Sequence, residues 1–288
     1  MKKPIATPSM TKEILERHAL FAKKNYGQNF LVDSGVVDKI ARNAVVSNHC
    51  AVFEIGPGIG ALTQYLCTYA KQVVSFEIDE RLKDVLADTL SEFDNFTLVM
   101  EDFLQVDLAQ WVERYRAQGY DVVIAANLPY YITTPILFKI FESGADIAAI
   151  TVMMQKEVAD RFYAQPGSKD YNALSVITQF RCSVHPVMKV PRNVFMPKPN
   201  VDSAVLQFRF IEHEPLDEER FFAMVKACFG MRRKTILNNF SSVCKNKQHA
   251  EKMLISADID PRVRSEQLDL KAFLRLYEVY ENESGSTC

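Results

Sequence analysis

Hydrophobic positions change their period along this chain. Val36, Val37, Ile40, Ala41, Ala44 and Val45 recur at three- and four-residue steps, which predicts an amphipathic helix. The stretch 51–55 is instead a short apolar run ending in glycines, the pattern of a strand covered on both faces. The alternation then repeats. Helices are predicted over 60–70, around Leu82, Val85, Leu86 and Leu90, over about 107–118 and over 135–141. Strands are predicted over 73–77, 97–100, 122–126 and 148–154, and Asp79 is a candidate cap for the Leu82 helix. Strands alternating with helices imply an α/β fold with a doubly wound, mostly parallel sheet and right-handed crossovers.

After Lys156 the pattern shifts. Helical segments near 156–164 and 171–182 precede two further strand candidates, 184–190 and 203–210, separated by a loop that Pro191, Pro197 and Pro199 stiffen. From about Asp217 the chain reads as helical, over 221–229, 234–243, 250–257 and 271–280. A catalytic domain over 1–212 and a smaller helical domain over 213–288 are therefore expected. Residues 1–20 and 283–288 are expected as loose ends.

Composition narrows the class. Hydrophobic residues at 48% and charged residues at 24% suit an ordinary globular protein. The apolar runs fall short of the ~18–20 residues a membrane span needs, and the N-terminus is polar without a hydrophobic signal core. A cytoplasmic protein with no membrane partner is expected. The cysteines show no C-x-x-C pair and the histidines are dispersed, which argues against a disulfide scaffold, a metal site and a histidine-based triad. Net charge is only −2, yet residues 226–252 carry seven Lys and Arg against the single acid Glu251. Lys2, Lys3, Lys23 and Lys24 form a second basic group. Such clusters fit solvated helix faces, and they also fit a localised footprint for a polyanion.

The chemistry concentrates at strand ends. Asn127-Leu128-Pro129-Tyr130 follows the apolar run 122–126, and in α/β sheets ligands bind beyond the carboxyl ends of strands. The Asn127 side-chain carbonyl and the Leu128 backbone carbonyl, freed by Pro129, are two acceptors beside the Tyr130 ring. An exocyclic amine such as adenine N6 has two N–H donors and a flat π-face to match. The same tetrapeptide also fits a helix-start turn. Gly56, Gly58 and Gly60 join the 51–55 strand to its helix with G-x-G-x-G spacing, not the G-x-G-x-x-G of the dinucleotide fingerprint. Glu77 and Asp102 end the next two strands, where each could cap a helix, or accept ribose hydroxyls and an adenine amine respectively. No Lys or Arg stands at these positions to balance a phosphate. Together they favour S-adenosyl-L-methionine.

The chain resembles the ribosomal RNA adenine N6,N6-dimethyltransferase family, and within it the small-subunit enzymes. The residues that carry this likeness are 23–31 (KKNYGQNFL), 54–60 with Leu62 and Thr63, 77–79 (EID), Glu101 and Asp102, 127–136 (NLPYYITTPI), 154–161 (MQKEVADR), 195–204 (FMPKPNVDSA) and 232–235 (RRKT). Each is moderately specific, and their order and number are highly so. Tyr26 stands where the family usually has Leu or Phe. The resemblance implies a Rossmann-like methyltransferase sheet with an antiparallel last strand. It also implies S-adenosyl-L-methionine-dependent dimethylation of two adjacent adenosines near the 3′ end of 16S rRNA, with a role in small-subunit biogenesis.

The site residues it implies are Gln28, Asn29 and Leu31 over the methionine end of the cofactor. Gly56 follows along its backbone, with Glu77 at the ribose and Asp102 at the adenine, and Gly58, Gly60, Ile78 and Phe103 are further cofactor contacts. Asn127 is shared between cofactor and target, Leu128 accepts from the target amine, and Tyr130 and Phe195 lie on either side of the target base. Lys23, Lys24, Lys156, Arg161, Arg232, Arg233 and Lys234 are the candidate RNA contacts. The implied partner is the small ribosomal subunit with its 16S rRNA, bound by a monomer without metal. Room for the second methylation is ascribed to Thr133 and Thr134. Two other readings stay open: a 23S rRNA adenine methyltransferase of the macrolide-resistance type, and an assembly factor that acts mainly by binding. Leu128 and the Thr-Thr-Pro-Ile sequence favour the small-subunit branch.

Overall fold

The computed structural model describes residues 3–20, 29–128 and 132–285. The chain divides into two compact units, Met1–Ala159 with His185–Phe210, and Asp160–Val184 with Ile211–Cys288.

The first unit is built on helices α1 (Pro8–Arg17), α2 (Ser34–Ala44), α3 (Ala61–Tyr69), α4 (Leu82–Thr89), α5 (Leu108–Arg116) and α6 (Thr133–Glu142). Its strands are β1 (Phe30–Leu31), β2 (Cys50–Ile55), β3 (Gln72–Glu77), β4 (Phe96–Met100), β5 (Asp121–Asn127) and β6 (Ala149–Gln155). Helix α7 (Lys156–Phe162), helix α8 (Ala173–Arg181) and strand β7 (Cys182–Val190) follow, then β8 (Phe195–Met196) and β9 (Ser203–Phe210). The main sheet runs β4-β3-β2-β5-β6-β9-β7. Pairs β3–β4, β2–β3, β2–β5 and β5–β6 are parallel, and β6–β9 is antiparallel. Every residue of β2 is buried, as expected of a central strand covered by helices on both faces. Strand order reverses between β2 and β5, which opens a crevice at their carboxyl ends.

Residues 3–20, expected as a loose end, are ordered. Thr7 caps α1 by accepting from the Met10 N–H, and Ile5, Ala6, Thr11 and Ile14 are buried. The Ile5 N–H donates to Gln64 Oε1, and the Ser34 hydroxyl donates to the Ala6 carbonyl. These bonds dock the segment on α2 and α3. A second correction concerns Asp79, which sits before α4 without capping it. Arg81 holds the N-cap position, and the Asp79 carboxylate instead pairs with the Arg81 guanidinium at 2.5 and 2.8 Å.

The second unit contains α8 and the C-terminal helices α9 (Glu218–Cys228), α10 (Ile236–Phe240), α11 (Lys247–Ser256) and α12 (Leu270–Gly285). It takes in residues 160–184, a stretch expected within the first domain. The reason is aromatic packing: Phe180 of α8 stacks against Phe221 and Phe222 of α9 at ring distances of 5.0 and 5.8 Å. Phe240, Phe273 and Leu276 are buried in the same unit. Residues 230–234, expected in part as the start of a helix, form turns ahead of α10, which Thr235 caps. The C-terminal helix runs to Gly285, past the expected loose end at 283.

Candidate active site

The crevice at the ends of β2 and β5 holds a cavity of about 150 Å³. That is roughly ten times the ~10–15 Å³ that one water needs on this measure, too large for a packing defect. Its wall includes Asn29, Leu31, Gly56, Gly58, Glu77, Ile78, Asp102, Phe103, Asn127, Leu128 and Phe195, all from the first unit. The strand ends therefore bring together the residues the sequence singles out. Gln28 and Tyr130 lie outside the described residues, as do Lys23 and Lys24.

Gly60 is the exception among the glycines. It does not line the cavity. It sits at the N-cap of α3 with φ +90°, and a Cβ there would meet Thr89 Oγ1 at 3.2 Å and the Leu90 side chain at 3.3 Å. Its role in the structure is close packing. A Cβ on Gly56, by contrast, meets no protein atom within 4 Å. What keeps that position bare is its φ of +68° and the cavity it opens on.

The three glycine N–H groups of the loop are already engaged. Gly56 N–H donates to the Phe76 carbonyl at 2.9 Å, Gly60 N–H to the Pro57 carbonyl at 3.0 Å, and Gly58 N–H to Glu77 Oε2 at 3.3 Å. Five carboxylates, on Glu54, Glu77, Asp79, Glu101 and Asp102, stand in the wall, and among the described residues no Lys or Arg does. An anionic phosphate finds no Lys or Arg countercharge among the described lining residues. A cationic or neutral ligand with hydroxyl and amine donors fits. S-adenosylmethionine, with its sulfonium, ammonium, ribose hydroxyls and adenine amine, meets that requirement.

Glu77 is buried at the end of β3. Its Oε1 accepts from the N–H groups of Ile78 and Asp79, both at 2.9 Å, and Oε2 accepts from Gly58. Burial raises its pKa, and those backbone bonds oppose the rise. With about four accepting positions on a carboxylate, one remains, on Oε2, so the carboxylate can take one ribose hydroxyl without surrendering a backbone bond. Asp102 lies two residues beyond the end of β4, not within it. Its Oδ1 accepts from the Leu104 N–H at 3.0 Å, and Phe103 beside it packs edge-on against Phe76.

Two features were not singled out by the sequence. Phe195 and Leu31 face each other as partners in the antiparallel β1–β8 ribbon, which makes one wall from two distant segments. Glu54 is fully buried in the wall, its Oε2 accepting from the hydroxyls of Thr63 and Ser75 at 2.7 Å each. Burial pushes its carboxyl up to about 7, and those two bonds act in the opposite sense. A raised pKa means that the carboxyl favours folding fully below its ordinary 4.5, and that this contribution is lost as pH rises through about 7. At pH 8 ionised Glu54 is expected to cost the fold roughly 3 kcal/mol. Glu54→Gln keeps a neutral acceptor for both hydroxyls. Urea melts should show the variant ahead of the parent at pH 8, with most of that gain absent at pH 5. Equal gains at the two pH values would refute the assignment.

Asn127 ends β5, half-buried, and Leu128 is buried after it. Thr133 is buried at the start of α6 outside the cavity wall, and Ile132 and Ile136 bound that space instead of Thr133 and Thr134. Among the basic residues, Lys156 is exposed at the start of α7 in the first unit. Arg161, on the same helix, is half-buried and belongs to the second unit. Arg232, Arg233 and Lys234 are exposed in the turn before α10. The buried Asn239 amide fixes that turn, accepting from the Met231 N–H and donating to the Met231 carbonyl, both at 3.1 Å. Among the described residues, no group of three or more His, Cys, Asp or Glu is placed to hold a metal ion, and no helix is long and apolar enough to cross a membrane.

Comparison with known proteins gives concordant matches. The profile of the ribosomal RNA adenine dimethylase family matches residues 20–282. Ribosomal RNA small subunit methyltransferase A of Bacillus pumilus (strain SAFR-032) is 46% identical, covering 98% of this chain and 99% of that protein. The Streptococcus gordonii protein of the same name is 47% identical, covering 97% and 99%. Among solved structures, a dimethyladenosine transferase from Plasmodium falciparum superposes with a TM-score of 0.76 at 27% identity, over 88% of this chain and 98% of that one. The 23S rRNA methyltransferase ErmE superposes with a TM-score of 0.66 at 28% identity, over 88% and 100%.

Proposed function

This chain belongs to the ribosomal RNA adenine dimethylase family, and on that premise we propose that its cavity binds S-adenosylmethionine and directs methyl transfer to the N6 amine of adenosines in small-subunit ribosomal RNA. The observation that carries the proposal is the wall itself: five carboxylates, no Lys or Arg among the described lining residues, and Asn127 at the end of β5. The branch follows from relatedness. Relatives named for the small subunit are 44–48% identical, against 28% for ErmE.

In the proposed site Glu77 accepts a ribose hydroxyl and Asp102 the adenine amine, with Ile78 and Phe103 against the ring. Asn29 and Leu31 border the methionine end. When bound, the cofactor supplies a methyl group already activated on a sulfonium. The chain's task is to present the amine. Adenine N6 is a poor nucleophile because its lone pair is delocalised into the ring. The Asn127 side-chain carbonyl and the Leu128 backbone carbonyl accept its two N–H bonds, which draws the nitrogen toward a tetrahedral geometry and localises that pair. Holding it in line supplies much of the acceleration. The acceptors also favour the positive charge that develops on nitrogen. The methylated ammonium is acidic enough to lose its proton to water. Phe195 and Tyr130 are proposed to stack on the extruded base, and the turn bearing Arg232–Lys234 to grip the RNA backbone.

The finer proposal is that the targets are two adjacent adenosines near the 3′ end of 16S rRNA, modified during subunit biogenesis in the cytoplasm. One copy of the chain holds every residue invoked, so we propose a monomer that works without a metal ion. The test supplies labelled S-adenosylmethionine with unmethylated small subunits, large subunits and naked RNA in parallel, followed by nucleoside analysis. Dimethyladenosine in the small subunit is expected. Its appearance only in the large subunit would overturn the choice of branch.

A further inference from the structure

Lys139 lies on α6, three residues beyond Ile136, so both fall on one face of that helix. Ile136 lines the cavity. Lys139 is half-buried, and its ammonium donates to the Leu104 carbonyl at 2.8 Å. That carbonyl belongs to the turn that carries Asp102 and Phe103. The peptide joining Leu104 and Gln105 is thereby held from both sides, because the Gln105 N–H donates to the Asp102 carbonyl at 2.8 Å. The Leu104 N–H in turn donates to Asp102 Oδ1 at 3.0 Å. Two hydrogen bonds, joined by the covalent backbone of Leu104, therefore link the Lys139 ammonium to the Asp102 carboxylate. What the ammonium adds is a fixed donor to a backbone acceptor in a turn that has no strand or helix ladder to hold it.

We propose that Lys139 is a positioning residue for recognition of the cofactor's adenine: it sets the turn that aims the Asp102 carboxylate at the exocyclic amine. The inference rests on the reading of Asp102 as the adenine contact. It also makes α6 a common support, whose first turns bound the cavity while its last turn holds the adenine side.

The test measures binding of S-adenosylhomocysteine and of S-inosylhomocysteine, in which a carbonyl replaces the amine, to the full chain and to Lys139→Met and Lys139→Gln. The parent is expected to prefer the adenosyl compound at least tenfold. Lys139→Met should bind that compound about five- to tenfold more weakly while its inosyl affinity stays nearly unchanged, so the preference collapses. Lys139→Gln keeps a shorter donor and should recover part of the preference, and it carries the comparison alone if the methionine variant does not fold. In methyl transfer, KM for S-adenosylmethionine should rise with little change in kcat or in KM for RNA. A variant that binds both compounds more weakly in equal proportion, or that keeps the parent's preference, overturns the role of Lys139. If the parent itself shows no preference, the reading of Asp102 fails first.

Discussion

Asn127→Ala is expected to stop methyl transfer while leaving the protein folded. Losing one preorganised group that stabilises developing charge slows enzymes by roughly 100- to 1000-fold, and here the same group also orients the nucleophile. The fold should tolerate the change because Asn127 ends β5 in register with Met153, a pairing made by backbone atoms alone. Its side chain is only half-buried. Single-turnover assays at saturating S-adenosylmethionine and RNA isolate the chemical step, and circular dichroism checks the fold. Cofactor affinity should fall far less than the rate. Turnover within a few fold of the parent would remove Asn127 from the mechanism, whatever happened to binding.

The second large effect is expected from reversing the charges of Arg232, Arg233 and Lys234 together. If the turn grips phosphates, each lost contact lowers the slope of log affinity against log salt by about 0.7–0.9, so three contacts change it by roughly 2–3 and weaken binding on the order of 100-fold or more near physiological salt. The three are not equivalent. Arg232 already donates to the Lys169 carbonyl, so its replacement also removes a structural bond. Arg233→Glu with Lys234→Glu is the cleaner pair. Filter binding at several salt concentrations gives the slope directly, and an unchanged slope would place the RNA elsewhere on the protein. S-adenosylmethionine binding should be untouched, since none of these residues lines the cavity.

The alternation of helix and strand was legible because buried parallel strands are continuous apolar runs: β2 and β5 stand out against the stepped pattern of α2 and α4. The strand ends that meet at the crevice were legible for the same reason, since locating a strand locates the residue that follows it. Helix α1 was not. It buries few apolar side chains, and one of its inward positions is Thr11, whose hydroxyl donates to the Ile5 carbonyl. A hydrophobic pattern does not register a satisfied polar residue. The β1–β8 ribbon is two residues long on each side, shorter than any period. Gly60 shows that a glycine motif reports tight backbone geometry without saying whether a ligand or a neighbouring side chain demands it. Asn239 and Lys139 act on backbone groups distant in sequence, so nothing local to either residue marks its role. Glu54 looked like an ordinary strand residue because its partners, Thr63 and Ser75, lie on two different elements.

The pairing of Leu31 with Phe195 has a consequence for synthesis of the chain. At about 5–20 residues per second, Phe195 is added roughly 8–33 s after Leu31, and it must then clear the exit tunnel before the two can pair. Until that moment one wall of the cavity is missing, although Gly56 and the strands that end in Glu77 and Asn127 have already been made. The nascent chain therefore carries these cofactor-site strands well before it has a complete pocket. A protein of a ribosomal RNA methyltransferase family thus completes this wall of its pocket only after Phe195 has cleared the ribosome that made it.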